Sequence, residues 1–169
     1  MAQLFLEDQE RQMNDPKMPV YAERFLQLYP ETSWQPLVQE AMEKNRAFNH
    51  TRIPEDLHFP DVSQAKTFQD IIAPYKGKVI FMDIWATWCG PCRDSFAFVK
   101  PLQEYAQEKD IVLLYLSIDN PEAEEKWKKM AAHYDLKGEH IRIQEAFKQE
   151  IYDTSVSYTH LTLPTKLEV

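Results

Sequence analysis

The chain has 169 residues, 44% of them hydrophobic, with a formal net charge of -8 and a sequence pI near 5.1, which fits one domain with a real core plus an accessory segment. No basic stripe or Lys/Arg cluster is present, so nucleic acid is not an expected partner, and no apolar run approaches the length a membrane span needs. The start, Met1 to Arg11, lacks the basic and apolar regions of a signal peptide, and the two cysteines exclude both a disulfide framework and a four-cysteine zinc site.

Residues 1 to 49 read as a helical accessory region. One helix is expected over Ala2 to Gln12 and a second over Val20 to Tyr29, closed by Pro30. A third starts near Ser33, a candidate N-cap, and carries Trp34, Leu37, Val38, Met42 and Phe48 at helical spacing. Residues 50 to 65, with Pro54 and Pro60 flanking Leu57, His58 and Phe59, read as an extended linker. A domain then runs from 66 to 154. It opens with a short helix, Thr67 to Pro74, and a strand, Lys78 to Trp85, whose near-continuous apolar run predicts a buried central position interrupted by Asp83. A helix over Pro91 to about Lys109 is expected to bend at Pro101. Ile111 to Ile118 predicts a second buried strand, Pro121 to about Tyr134 a helix broken by Gly138, and Gln144 to Asp153 a last helix. This alternation predicts an α/β domain.

Between the first strand and its helix stands Trp88-Cys89-Gly90-Pro91-Cys92. Disulfide exchange needs an attacking thiolate and a second thiol to resolve the mixed disulfide. A cysteine at a helix N-terminus gains from unpaired N–H groups and the helix dipole. A free thiol near pKa 8.5 is only about 3% ionised at neutral pH, whereas a pKa of about 7 gives roughly half. Pro91 fixes the backbone as the helix begins, and Gly90 leaves one face of the motif open.

The segment Asp83-Ile84-Trp85-Ala86-Thr87-Trp88-Cys89-Gly90-Pro91-Cys92-Arg93 resembles the active-site segment of the thioredoxin superfamily, and most closely bacterial TlpA-like thiol–disulfide oxidoreductases. The resemblance covers about residues 62 to 154 and implies a thioredoxin-like α/β fold. It implies that Cys89 attacks and Cys92 resolves, the pair forming a redox-active disulfide with no other cofactor, and that the chain reduces protein disulfides. Partners would be protein disulfide or dithiol substrates and an upstream electron donor. TlpA-like proteins usually work outside the cytoplasm, so a place in the cell envelope is expected although neither signal peptide nor anchor is visible. The resemblance gives Asp83 the part of a buried acid assisting proton transfer from Cys92, and burial would raise its pKa. Thioredoxins carry a lysine beside that acid; the matching position is Tyr115, a departure. Trp88, Gly90 and Pro91 are candidate substrate contacts, Trp85 a core residue, and Arg93 either a source of positive potential or a solvated charge.

Two other chemistries compete. A peroxiredoxin-like peroxidase wants threonine three positions before the reactive cysteine, where this chain has Ala86. A non-catalytic metal-handling module could use two thiolates for Cu(I), but no Met or His stands at a suggestive spacing, and His50, His58, His133, His140 and His160 form no metal pattern. The superfamily fold also needs a strand led by a cis-proline, an antiparallel strand and a closing helix, for which the residues after Asp153 are too few. The fold is therefore expected to be incomplete at the C-terminus, leaving the strand at 78 to 85 on a sheet edge. Residues 155–169 are read as a non-native tail, since Val156 to Thr165 matches the translation of a transposase-type sequencing adapter.

Overall fold

The structure is a computed structural model that describes residues 15, 17–143 and 145–154. The helix expected over Ala2 to Gln12 and the tail at 155–169 lie outside those residues. The first two helices among the described residues are α1 (Met18–Leu28) and α2 (Gln35–Asn49). They pack on each other through Ala22, Val38 and Met42, the i, i+4 spacing in α2 placing two of these on one face. Ser33 does not cap α2: Trp34 holds that position without a side-chain bond, and its N–H is accepted by Thr32 Oγ1 at 3.3 Å. Phe48 closes α2 against the main core, edge-on to His133 at 5.5 Å, so the accessory helices are fastened to the domain.

Helix α3 (Phe68–Ile72) begins with a reciprocal cap. Thr67 accepts from the Asp70 N–H, and the Asp70 carboxylate accepts from the Thr67 N–H at 2.9 Å. Strand β1 (Ile80–Trp85) follows, then α4 (Gly90–Ser95), α5 (Val99–Glu108), β2 (Val112–Ser117), α6 (Glu124–His133), β3 (Glu139–Arg142) and α7 (Glu145–Thr154). Among the described residues the three strands are all parallel, with β2 in the middle. The sequence reads 78–85 as a buried central strand, left on a sheet edge where the later strands of the superfamily fold are missing. Among the described residues that strand has β2 as its one neighbour, an edge position, and its four interior positions are half-buried rather than buried. The central strand is β2, whose Leu113 to Ser117 are all buried.

Side chains alternate across the sheet with the two-residue period of a strand. One face carries Trp85, Leu113 and Tyr115 and is covered by Phe96, Val99 and Ala106 and by Trp127, Met130 and Ala131 of α6. The other carries Ile80, Leu114, Leu116 and Ile141, covered by Phe68, Ile71 and Ile72 of α3 and by Phe147 and Ile151 of α7. Both crossover helices therefore lie on one face, the winding that parallel strands impose.

Three local features depart from expectation. The long helix is interrupted at Phe96–Phe98, a 3₁₀ turn, rather than bent at Pro101 itself. Pro101 has no N–H for the Ala97 carbonyl and its ring crowds it, so the defect falls one turn earlier. Strand β3, which the sequence did not announce, pairs with β2 from Leu114↔Glu139 to Ser117↔Arg142. The segment read as a linker is held against it. The His140 N–H donates to the His58 carbonyl at 2.8 Å, Leu57 is buried, and Phe59 meets Trp127 edge-on at 5.3 Å. His140 is itself buried, stacked on Tyr115 at 5.1 Å, and burial pulls its pKa down to about 4, so it folds as the neutral imidazole.

Candidate active site

The end of β1 presents the cysteine motif. Trp85 is 1% exposed and anchors the strand in the core, meeting Phe96 edge-on at 5.2 Å. The chain then turns, with the Cys89 N–H donating to the Ala86 carbonyl at 3.0 Å. Cys89 stays extended at φ -81°, ψ 98°, and is the N-cap of α4. Its sulfur accepts from the Cys92 N–H at 3.3 Å, the contact that a thiolate would strengthen. Pro91 sits in the first turn, where its missing N–H costs no intrahelical bond.

Cys89 and Cys92 are joined in a disulfide, with Cα atoms 5.4 Å apart. Cys92 packs against the core cluster around Trp85 and Phe96. Outside the pair the surface is apolar and open: Trp88 is 66% exposed, Pro91 is exposed, and Gly90 is half-buried. A side chain on Gly90 would meet only Arg93 Nη2, at 3.9 Å. Arg93 is not a solvated charge; it is 7% exposed and tucked under the motif.

Asp83 lies on β1 two residues before Trp85 and faces the same side of the sheet, opposite Tyr115 in the β1–β2 register. Burial pushes its carboxyl above the usual carboxylate range. Tyr115, standing where the resemblance implies a lysine, is 1% exposed. Its phenol is pushed upward, first by burial and then by the Asp83 charge. A neutral phenol thus takes the place of a cation, so the position opposite Asp83 supplies no positive charge to offset the burial of its carboxyl.

One set of residues escaped the sequence reading. Asp119, just beyond β2, is 2% exposed. Its two oxygens accept from the Thr87 N–H at 3.1 and 2.9 Å, from Thr87 Oγ1 at 2.8 Å and from Ser117 Oγ at 2.9 Å. The polar pair Ser117 and Asp119 at the end of an otherwise apolar strand was the available signal. Among the described residues no group of three or more His, Cys, Asp or Glu side chains could hold a metal ion.

A Redoxin family profile matches residues 43–147, more than half of the chain. The chain is similar to the thiol–disulfide oxidoreductase ResA of Bacillus cereus, 36% identical over 62 residues that make up 37% of this chain and 35% of that one. It is also similar to Thioredoxin-1 of Caenorhabditis elegans, 30% identical over 70 residues, 41% of this chain and 54% of that one. The solution structure of a Bacteroides vulgatus protein assigned as a thiol–disulfide oxidoreductase overlaps 43% of this chain and 46% of its own, at 40% identity and a TM-score of 0.38. The chain spans about a third of the length of the ResA relatives first matched.

Proposed function

We infer that this chain, which belongs to the Redoxin family as a TlpA-like member of the thioredoxin superfamily, reduces protein disulfides through Cys89 and Cys92. The observation that carries the reading is the position of Cys89. It caps a helix at the end of a core strand, its sulfur 3.3 Å from the Cys92 N–H and beside an exposed tryptophan. In the reduced protein the Cys89 thiolate attacks one sulfur of a target disulfide; a mixed disulfide forms and the target's other sulfur leaves as a thiolate. Cys92, having given up its proton, then attacks Cys89 Sγ and expels the target's second thiolate. The product is the Cys89–Cys92 disulfide, and two electrons have passed to the target. A dithiol donor upstream resets the pair. Trp88, Gly90 and Pro91 form the surface against which a target chain lies.

Asp83 is the base for the second step. A carboxylate raised by burial is a better acceptor for the Cys92 proton than an ordinary one. This role has a consequence of opposite sign for stability. With its folded pKa above the unfolded value, Asp83 destabilises the fold progressively as pH rises from the unfolded pKa through the folded one, and not at all below both. Asp83→Asn is therefore expected to raise the urea midpoint at neutral pH, with the gain vanishing toward pH 4, while slowing release of the mixed disulfide by about 100-fold. A variant that is faster or equal in that release, or whose stability gain is the same at both pH values, would contradict the assignment.

The cell envelope is the proposed location, in keeping with TlpA-like proteins; among the described residues no helix is long and apolar enough to cross a membrane. The function is tested with dithiothreitol as donor and insulin as substrate, together with glutathione equilibration. A reductase precipitates the insulin B chain faster than dithiothreitol alone and equilibrates nearer about -270 mV than about -120 mV. No acceleration, or a potential at the oxidising end, would refute the reductase reading.

A further inference from the structure

The turn that delivers Cys89 is gripped from beneath. Ala86 to Cys89 form one turn, closed by the Cys89 N–H on the Ala86 carbonyl at 3.0 Å. Thr87 is the second residue of that turn, and both its N–H and its hydroxyl are committed to Asp119, which lies 32 residues away in sequence. Asp119 is fixed in turn: Ser117 Oγ donates to Oδ2 at 2.9 Å and accepts from the Asp119 N–H at 3.1 Å. Ser117 ends the central strand and is wholly buried. The turn is thus tied to the buried central strand of the sheet rather than only to the short helix that follows it.

A carboxylate is a strange choice for this place on charge grounds alone. A buried negative charge bonded to the residue two before the attacking cysteine disfavours a thiolate there. Lys126 from α6 is attracted by the same carboxylate and offsets part of that cost, while Arg93 from α4 lies near enough to Lys126 to repel it. Burial lowers Lys126, Asp119 opposes the lowering and Arg93 adds to it. Asp83 is the further acid on the same face of the sheet. What only a carboxylate supplies is two acceptor oxygens able to take one N–H and two hydroxyls at once.

We propose that Asp119, acting through Thr87, is a positioning residue that holds Cys89 Sγ at the N–H groups opening α4 and so sustains its thiolate. The proposal rests on Cys89 being the attacking sulfur. Displacing a thiolate from its donors by a few tenths of an ångström weakens a charge-assisted bond, and a small rise in thiol pKa removes most of the reactive form near neutral pH.

The test uses the full chain carrying Cys92→Ser, in which Cys89 is the sole thiol. Its rate of alkylation by iodoacetamide is followed from acid to alkaline pH. Thr87→Val removes one bond to Asp119 and leaves every charge in place. It is expected to raise the Cys89 pKa so that alkylation near pH 7 falls about threefold and recovers at alkaline pH. Thr87→Ser restores the parent profile. Thr87→Ala serves for the same comparison if the valine variant does not fold. A purely structural Asp119–Thr87 link would lower the urea midpoint and leave the alkylation profile where it was; that result overturns the proposal. So does a loss of rate that alkaline pH does not recover. Parent chain that fails to reduce insulin yet shows the Thr87→Val shift sinks the reductase reading alone, whereas active parent with an unshifted profile sinks this inference alone.

Discussion

Cys89→Ser is expected to abolish disulfide turnover, whereas Cys92→Ser is expected to yield a protein that attacks its target once and stays bonded to it. The two sulfurs are chemically alike, so the difference comes from their places. Cys89 is the N-cap of α4 and its sulfur already accepts the Cys92 N–H, while Cys92 sits one turn into the helix against the core. A hydroxyl at position 89 is neither ionised near neutral pH nor able to form a disulfide, so the fall in rate is on the order of a thousandfold or more. In the Cys92→Ser protein the first step is intact and the exit is closed, since the serine cannot attack Cys89 Sγ. Non-reducing gels should show a target adduct that dithiothreitol removes, carried by Cys92→Ser and absent from Cys89→Ser. Adducts of equal yield on both variants would mean that the roles are not divided as the geometry divides them. Equal and unimpaired turnover in both would mean the pair is not the reactive centre at all.

The place of the cysteine motif in the fold could be read directly because its elements are contiguous. Strand, turn, both cysteines and the helix start fall within Ile80–Ser95, and each step leaves a local mark: an apolar run, a Gly-Pro pair, a proline in the first turn. Asp83 was legible for the same reason, as a charge inside an apolar strand. What depends on distant pairing was not. Asp119 looks from its neighbours like the start of a helix before Pro121, and its bonds to Thr87 cross 32 residues. Arg93 could be read from its place after the motif as either a source of positive potential or a solvated charge, and its neighbours in sequence do not announce that it is 7% exposed. Strand β3 has only four residues, three of them charged or imidazole, and one apolar side chain. Nothing in that composition calls for a strand. It forms because β2 offers a free edge and because Gly138 lets the chain come close enough to take it.

Gly138→Ala is accordingly expected to be among the most damaging single-methyl changes available in this fold. Gly138 holds φ +145°, a region that L side chains rarely enter. A methyl group there would lie 2.5 Å from the Leu113 carbonyl oxygen and 3.0 Å from Leu113 Cβ. Leu113 cannot yield, since it belongs to the central strand, paired with Phe81 on one side and followed by the Leu114↔Glu139 pair on the other. Strain and overlap therefore add, and the expected loss is about 3 kcal/mol or more, near 10 °C in Tm. The chain's other two glycines separate the causes. Gly77 has φ +84° with nothing within 4 Å of a methyl, so Gly77→Ala reports strain alone, about 1 kcal/mol. Gly90 meets only the tip of Arg93 at 3.9 Å, so Gly90→Ala should stay within about 0.5 kcal/mol of the parent. Urea unfolding of the oxidised proteins should rank the losses Gly138 well above Gly77, and Gly77 above Gly90. If Gly138→Ala cost no more than Gly77→Ala, β3 would not be docked on β2 as closely as 2.5 Å implies, and the third strand of the sheet would lose its support.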